Sequence, residues 1–401
     1  MALNVTYPAS AGVPPDAQFL LEQGNANARV TGVHDSLLQE CERDIIWYRD
    51  YFFGKPHANF LARTTPRGPM AVSIVQDGDN YKGIVRTTEV RPAPARPRFT
   101  LCNGSNRTDR QRAVATPQGS ERLTIPRDSV AIAWWRKMLG MAPTPQNVMR
   151  ALSPNIPVEL LKQGRDPGLP NELLAMEERQ VIRSYKFGLG YLRHGQTTEE
   201  HMFSNTEDDM SVEFKEFLNF LGEKIALKGW KGYRAGLDVQ NDQTGKHSVY
   251  TKWQGYEIMF HVSAYLPHTA NDKQQLEKKR HIGNDIVVLV FQDGDAQFQL
   301  PTLTSRQNHV VIAVRPEGEK YVIASCYKNG VPHFHPEIPD PPHFSRDAVG
   351  RDFLLHKRAY HLTCHFVNAE RASYKSPSFA PKISRTRNVL LLDVAERFSG
   401  S

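Results

Sequence analysis

The sequence predicts an α+β domain followed by an α/β domain, on three observations. Apolar and polar residues alternate at Phe60 to Arg63, Met70 to Val75 and Tyr81 to Thr87, the pattern of strands, and a helical pattern takes over between Asp128 and Arg179. From Tyr185 onward strand patterns alternate with helical ones, which is how α/β layers are written. At 401 residues the chain is also long enough for two domains with real cores.

In chain order, residues 1–41 are rich in Pro, Ala, Gly and Asn without periodicity and read as a mobile tail. The first domain spans 42–184, with Asp77-Gly78-Asp79-Asn80 as a hairpin turn between its last two strands. Residues 91–122 break the pattern and read as a long surface loop, more simply a tolerated insertion than a Pro-rich docking site. Helical segments follow at Ser129 to Leu139, Gln146 to Leu152, Val158 to Gln163 and Asn171 to Glu178, with Trp134 and Trp135 expected in buried contacts.

The second domain spans 185–399. Its clearest helix is Ser211 to Leu227, with Val212, Phe214, Phe217, Leu218, Leu221 and Ile225 on one face. Strands are expected at Tyr256 to Leu266, Ile286 to Phe291, His309 to Val314 and Tyr321 to Cys326. A long helix from Asp347, available as its cap, to Tyr374 follows, then a last helix capped by Ser384.

Composition narrows the class. Hydrophobic content of 40% fits a globular protein, and a net charge of +7 spread along the chain favours an acidic or phosphate-bearing partner without implying nucleic acid. Cys41, Cys102, Cys326 and Cys364 lack pairing or metal spacing and fit free thiols in a reducing cytoplasm. No apolar run approaches the ~20 residues of a membrane span. Gly245-Lys246 lacks the rest of a phosphate loop, Gly188-Leu189-Gly190 lacks a dinucleotide fingerprint, and no Gly-x-Ser-x-Gly elbow occurs. His361 and His365 share a helix face but lack the companions of a metal site, so no metal is expected.

The stretch Lys278-Lys279-Arg280-His281-Ile282-Gly283-Asn284-Asp285 is left to explain. Asp272 to His281 reads as a short helix stopped by Gly283, and Ile286 to Phe291 as a strand buried on both faces. Asn284 and Asp285 thus occupy a helix-to-strand junction. Spacing alone favours a plain account, in which the three cations answer the helix dipole and Asn284 caps the turn.

This stretch, with Phe291-Gln292-Asp293 after it, closely resembles the signature of the Rap-GAP family of small-GTPase activators, which includes tuberin-like proteins. Gly236-Leu237-Asp238, Gln243-Thr244-Gly245, Ser248-Val249-Tyr250 and Glu257-Ile258-Met259-Phe260-His261-Val262-Ser263 match the family pattern in the same order. Gly54-Lys55-Pro56-His57-Ala58-Asn59-Phe60, Tyr185-Lys186-Phe187-Gly188 and Arg385-Thr386-Arg387 extend the likeness over roughly 42–398.

The resemblance implies an α+β N-terminal dimerisation domain followed by an α/β catalytic domain with a mixed central sheet flanked by helices. It implies a cytoplasmic homodimer that stimulates GTP hydrolysis by the GTP-bound form of a Rap-type small GTPase, with recruitment to membranes through that partner left open. The chain would need no cofactor of its own, since GTP and magnesium would be held by the partner. Asn284 matches the catalytic asparagine thumb, which orients the attacking water in trans, and His281 matches a supporting histidine. Lys186, Lys279, Arg280 and Arg385 match positions that dock the GTPase. The family usually carries an aromatic where this chain has Gln307, the loop Pro316 to Lys320 is short, and 91–122 is outside the pattern. Gln307 therefore keeps open Ral or Rheb as the substrate, and a non-catalytic GTPase-binding scaffold is the rival from another class.

Overall fold

A computed structural model describes residues 19–30, 46–87, 112–115, 120–179, 183–296, 298–299, 303, 305–329, 331, 335–357, 359 and 380–398, with backbone alone at 112–115 and 380–388. Two compact units divide the chain: Gln39–Val181 with Phe366–Ser401, and Met1–Leu38 with Ile182–His365. Two expected boundaries differ from this division. A strand inside the expected tail, β1 (Phe19–Leu21), pairs with the sheet of the second unit, and the C-terminal helix is built onto the sheet of the first.

The first unit opens with α1 (Trp47–Tyr51) and the antiparallel strands β2 (His57–Ala62), β3 (Met70–Asp77) and β4 (Asn80–Thr87). Asp77 faces Asn80 across the expected hairpin, where Gly78 takes φ +57°. β5 (Arg112–Ala115) and β6 (Ser120–Pro126) add to the same sheet, so the end of the expected loop 91–122 is strand; its earlier part is outside the described residues. The expected helix Ser129 to Leu139 shortens to α2 (Trp134–Met138), and the next is α3 (Pro145–Leu152), started by the Thr144 side chain accepting from Asn147 N at 3.3 Å. Val158 to Gln163 is not one helix: a 3₁₀ turn (Val158–Leu160) leads into β7 (Lys162–Gly164), before α4 (Leu169–Glu178).

Sheet order here is β5-β6-β4-β3-β2-β7. Strand alternation sends Phe60, Val72 and Val85 to one face, against Val148, Met149 and Leu152 of α3. Leu61, Ala71 and Ile84 face the other way, against Leu169 and Leu173 of α4 and against Leu391 and Val394 near the C-terminus. Gly83 permits the close seat of α3, since a Cβ there would meet Leu152 Cδ1 at 2.6 Å.

The second unit carries β8 (Ser184–Leu192), α5 (Glu199–Ser204), α6 (Val212–Leu221), β9 (Glu223–Ala226), β10 (His247–Trp253), β11 (Tyr256–Val262) and α7 (Leu276–Ile282). It continues with β12 (Val287–Gln292), β13 (Val310–Glu317), β14 (Lys320–Lys328), β15 (His343–Ser345) and α8 (348–357). The chain's last element, α9 (Ala380–Phe398), belongs to the first unit. Ser211 caps α6, its side chain accepting from Phe214 N at 3.1 Å, but the helix stops at Gly222 instead of running to Leu227. Extended backbone at Gly222 brings it under the Tyr250 carbonyl, which a Cβ would meet at 2.5 Å, and Ile225 becomes a strand residue. Asp347 caps α8, accepting from Gly350 N at 2.9 Å; residues 360–374 of that expected helix are outside the described residues. Ser384 lies within α9 and not at its start.

This sheet is mixed, ordered β1-β14-β13-β12-β8-β11-β10-β9 with β15 beside β14. Its centre, β11, β8, β12 and β13, is parallel. Val287, Leu289 and Phe291 pack on the α6 face with Phe214 and Phe217, whereas Val288 and Val290 pack on the opposite face with Met202 and Ile282. Both faces of β12 are therefore buried, which is why its sequence is an unbroken apolar run. Among the described residues no helix is long and apolar enough to cross a membrane.

Candidate functional site

The site is the descent from α7 into β12. α7 starts later than the periodicity suggested, at Leu276 and not near Asp272, because Asp272 lies one turn ahead of it. The Asp272 carboxylate accepts from Leu276 N at 2.7 Å and from Gln274 N at 2.9 Å. Gln275, at φ +49°, locks the approach through Thr269, accepting from its N at 3.1 Å and donating to its O at 2.7 Å.

The three cations of α7 have different fates. Lys278 is fully buried and donates to the Asn205 carbonyl at 2.8 Å; burial pulls its ammonium down to about 8. It is thus a packing residue and not a dipole answer. Lys279 is half-buried and pairs with Glu199 at 2.8 Å and Glu200 at 3.6 Å, both in the first turn of α5. Arg280 stays exposed, 3.5 Å from Glu277.

Asn284 is exposed, and three bonds fix its direction. Its N–H donates to His281 O at 3.1 Å, its carbonyl accepts from Lys186 Nζ at 3.2 Å, and its Nδ2 donates to Arg280 O at 2.6 Å. The carboxamide nitrogen therefore caps α7, and no described residue donates to Oδ1. Capping uses one of the two amide N–H groups and leaves the other, together with the oxygen, on offer.

Beneath Asn284 the backbone is clamped. Asn308, buried to 1% exposure, donates from Nδ2 to Ile282 O at 3.0 Å and to Asp285 O at 2.6 Å, on either side of Asn284. Ser305 donates to Gly283 O and accepts from Gln307 N at 3.1 Å, so the Gln307 loop is tied to the residue preceding Asn284. Asp285 is wholly buried and pairs through Oδ2 with His261 Nδ1 at 2.7 Å and through Oδ1 with Lys186 Nζ at 3.0 Å. His261 Nε2 lies 3.1 Å from the Ala235 carbonyl, so both ring nitrogens face oxygens. Gly188 of β8 makes room, since a Cβ there would meet Ile282 at 3.0 Å and Asp285 at 3.2 Å.

His281 packs edge-on against His261, with ring centroids 5.2 Å apart. Burial, with the nearby His261 and Arg280 charges, pulls it down to about 4. It is therefore neutral at pH 7 and answers the helix dipole poorly. An unfolded histidine, near 6.5, takes up its proton first, so between about 6.5 and about 4 the unfolded chain holds more protons and acid removes stability. His309, also drawn down to about 4 by burial, acts in the same direction. Urea midpoints should fall from pH 7 to pH 4.5, and His281→Gln should flatten that fall; parallel slopes would exclude His281 as a source.

The structure thus brings Lys186, His281, Asn284 and the Gln307 loop together. Arg385 is in α9, built on the first unit, and its side chain is outside the described residues. Asn308 was missed because nothing local marks it. His261 carried a signal, a histidine at a core position of an apolar strand, which demands a partner. Among the described residues no group of three His, Cys, Asp or Glu side chains could hold a metal ion, and His361 and His365 are outside them.

Comparison with known proteins adds a family. A model of the Rap/ran-GAP family matches residues 202–388. A human protein, GTPase-activating Rap/Ran-GAP domain-like protein 3, is 31% identical over 97% of this chain and 35% of its own length. A mouse protein, signal-induced proliferation-associated 1-like protein 3, is 37% identical over 87% of this chain and 18% of its own length. The chain thus spans about a third or less of these two relatives. A solved structure of the TSC2 GAP domain is 30% identical, covering 46% of this chain and 99% of that one, with a TM-score of 0.41.

Proposed function

Because the chain belongs to the Rap/ran-GAP family, we propose that it stimulates GTP hydrolysis by a Rap-type small GTPase, with Asn284 entering the partner's active site. The observation that carries this reading is an exposed carboxamide held by one N–H to Arg280 O, to whose oxygen no described residue donates. GTP hydrolysis needs water held in line with the γ-phosphate, and catalysis there is mostly positioning and charge stabilisation. A fixed amide oxygen accepts from that water; a pre-set direction avoids the entropy of ordering it on arrival. The second N–H of the same nitrogen can donate to a phosphate oxygen while the first stays on Arg280 O.

In this reading the partner holds GTP and magnesium, and this chain supplies position. Arg280 is the cation best placed for docking and steering, while Lys279 already has Glu199. Lys186 serves Asn284 directly and keeps a partly exposed ammonium. Gln307 touches the same platform through its backbone, so its side chain bears on partner choice.

Single-turnover hydrolysis by Rap-, Ral- and Rheb-type GTPases, each saturated with this chain, tests the proposal. The Rap type should accelerate by at least ~10²-fold, and added salt should weaken association more than the saturated rate. Binding without acceleration would leave a scaffold, and acceleration of a Ral or Rheb type alone would reassign the substrate.

A further inference from the structure

The first unit carries an apolar knob that the site does not use. Around α2, Trp134 is 75% exposed, Trp135 45%, Met138 74%, Leu139 66% and Met141 42%. Contiguous exposure of this kind marks a contact surface, because single scattered apolar residues are what a free surface normally shows. The knob is also built. Asn147 Nδ2 donates to Ala131 O at 3.0 Å where the chain enters it, and Arg136 donates to Ala142 O at 2.8 Å where it leaves. Gly140, at φ +64°, makes the turn, and Met141 N donates back to Arg136 O at 2.9 Å. These bonds hold the large side chains outward.

Charge selects the occupant. No acidic side chain occurs between Asp128 and Glu159, while Arg136 and Lys137 sit inside the knob. A second copy of the same face would set cations against cations with no carboxylate to answer them, which a two-fold interface tolerates badly. Two tryptophans, three flexible or branched apolar side chains and two cations suit the boundary of an anionic bilayer, where indole rings and basic groups settle together. We propose that residues 131–142 dock on an anionic lipid surface, with Trp134, Met138 and Leu139 entering the headgroup boundary.

Co-sedimentation of the full chain with phosphatidylcholine vesicles, with and without phosphatidylserine, tests this. Binding is expected to the phosphatidylserine vesicles, with a blue shift of tryptophan emission. The double substitution Trp134→Ala, Leu139→Ala should weaken it roughly tenfold or more, and Lys137→Gln about fivefold. Unchanged urea midpoints would show that both variants fold. The proposal fails if the wild type ignores phosphatidylserine, if the double variant binds equally well, or if that variant instead halves the mass in sedimentation, which would make the knob a self-contact.

Discussion

Asn284→Ala should lower the stimulated single-turnover rate of GTP hydrolysis by ~10²–10³, the loss typical when one positioning group is removed from a charge-developing centre. Affinity for the GTPase should change about twofold or less, as for an ordinary exposed side chain. The folded state should lose only the Asn284 Nδ2 bond to Arg280 O, ~0.5–1.5 kcal/mol at an exposed helix end. Rate and binding therefore separate, which a scaffold cannot mimic. Asn284→Asp is the sharper companion, because a carboxylate cannot donate to Arg280 O and would repel phosphate. It should lose the rate and weaken binding as well. If Asn284→Ala accelerates hydrolysis within a few-fold of the wild type, the carboxamide has no part in the chemistry.

The platform under Asn284 was only half legible in the sequence. The apolar run of β12 and the Gly283 stop located the junction, because a central parallel strand has no polar face and a helix end has a short-range signature. The hairpin at Gly78 was legible for the same reason, being settled within a few residues. Lys278 departs from the helix-dipole reading because its burial depends on the Asn205 carbonyl, 73 residues away in sequence. Gly222 ends α6 because Tyr250 crosses above it, and Trp134 and Trp135 stay out of the core although their composition suits it. Asn308 shows the limit most plainly: its effect lies in reaching two carbonyls of another segment, which no local pattern records.

Asp285→Ala should be the most damaging substitution near the site for stability. The carboxylate is wholly buried between His261 and Lys186, so removing it strands a polar ring nitrogen in the core and cuts the ammonium off from its 3.0 Å partner. Breaking a buried pair from one side costs ~3–5 kcal/mol, and with a urea slope of ~1–3 kcal/mol per molar the second unit's midpoint should fall by ~1–5 M. Asp285→Asn keeps an acceptor for one neighbour and should fall less. Lys186→Met is the informative contrast: His261 still holds Oδ2, but Oδ1 of the wholly buried Asp285 loses its cation, so stability should fall by ~1–3 kcal/mol, less than for Asp285→Ala. The same substitution frees the Asn284 carbonyl and should slow hydrolysis at full folding. An unchanged midpoint in Asp285→Ala would mean that the buried carboxylate does not hold the platform. A Lys186→Met chain as fast as the wild type would mean that α7 and Asn308 alone aim Asn284.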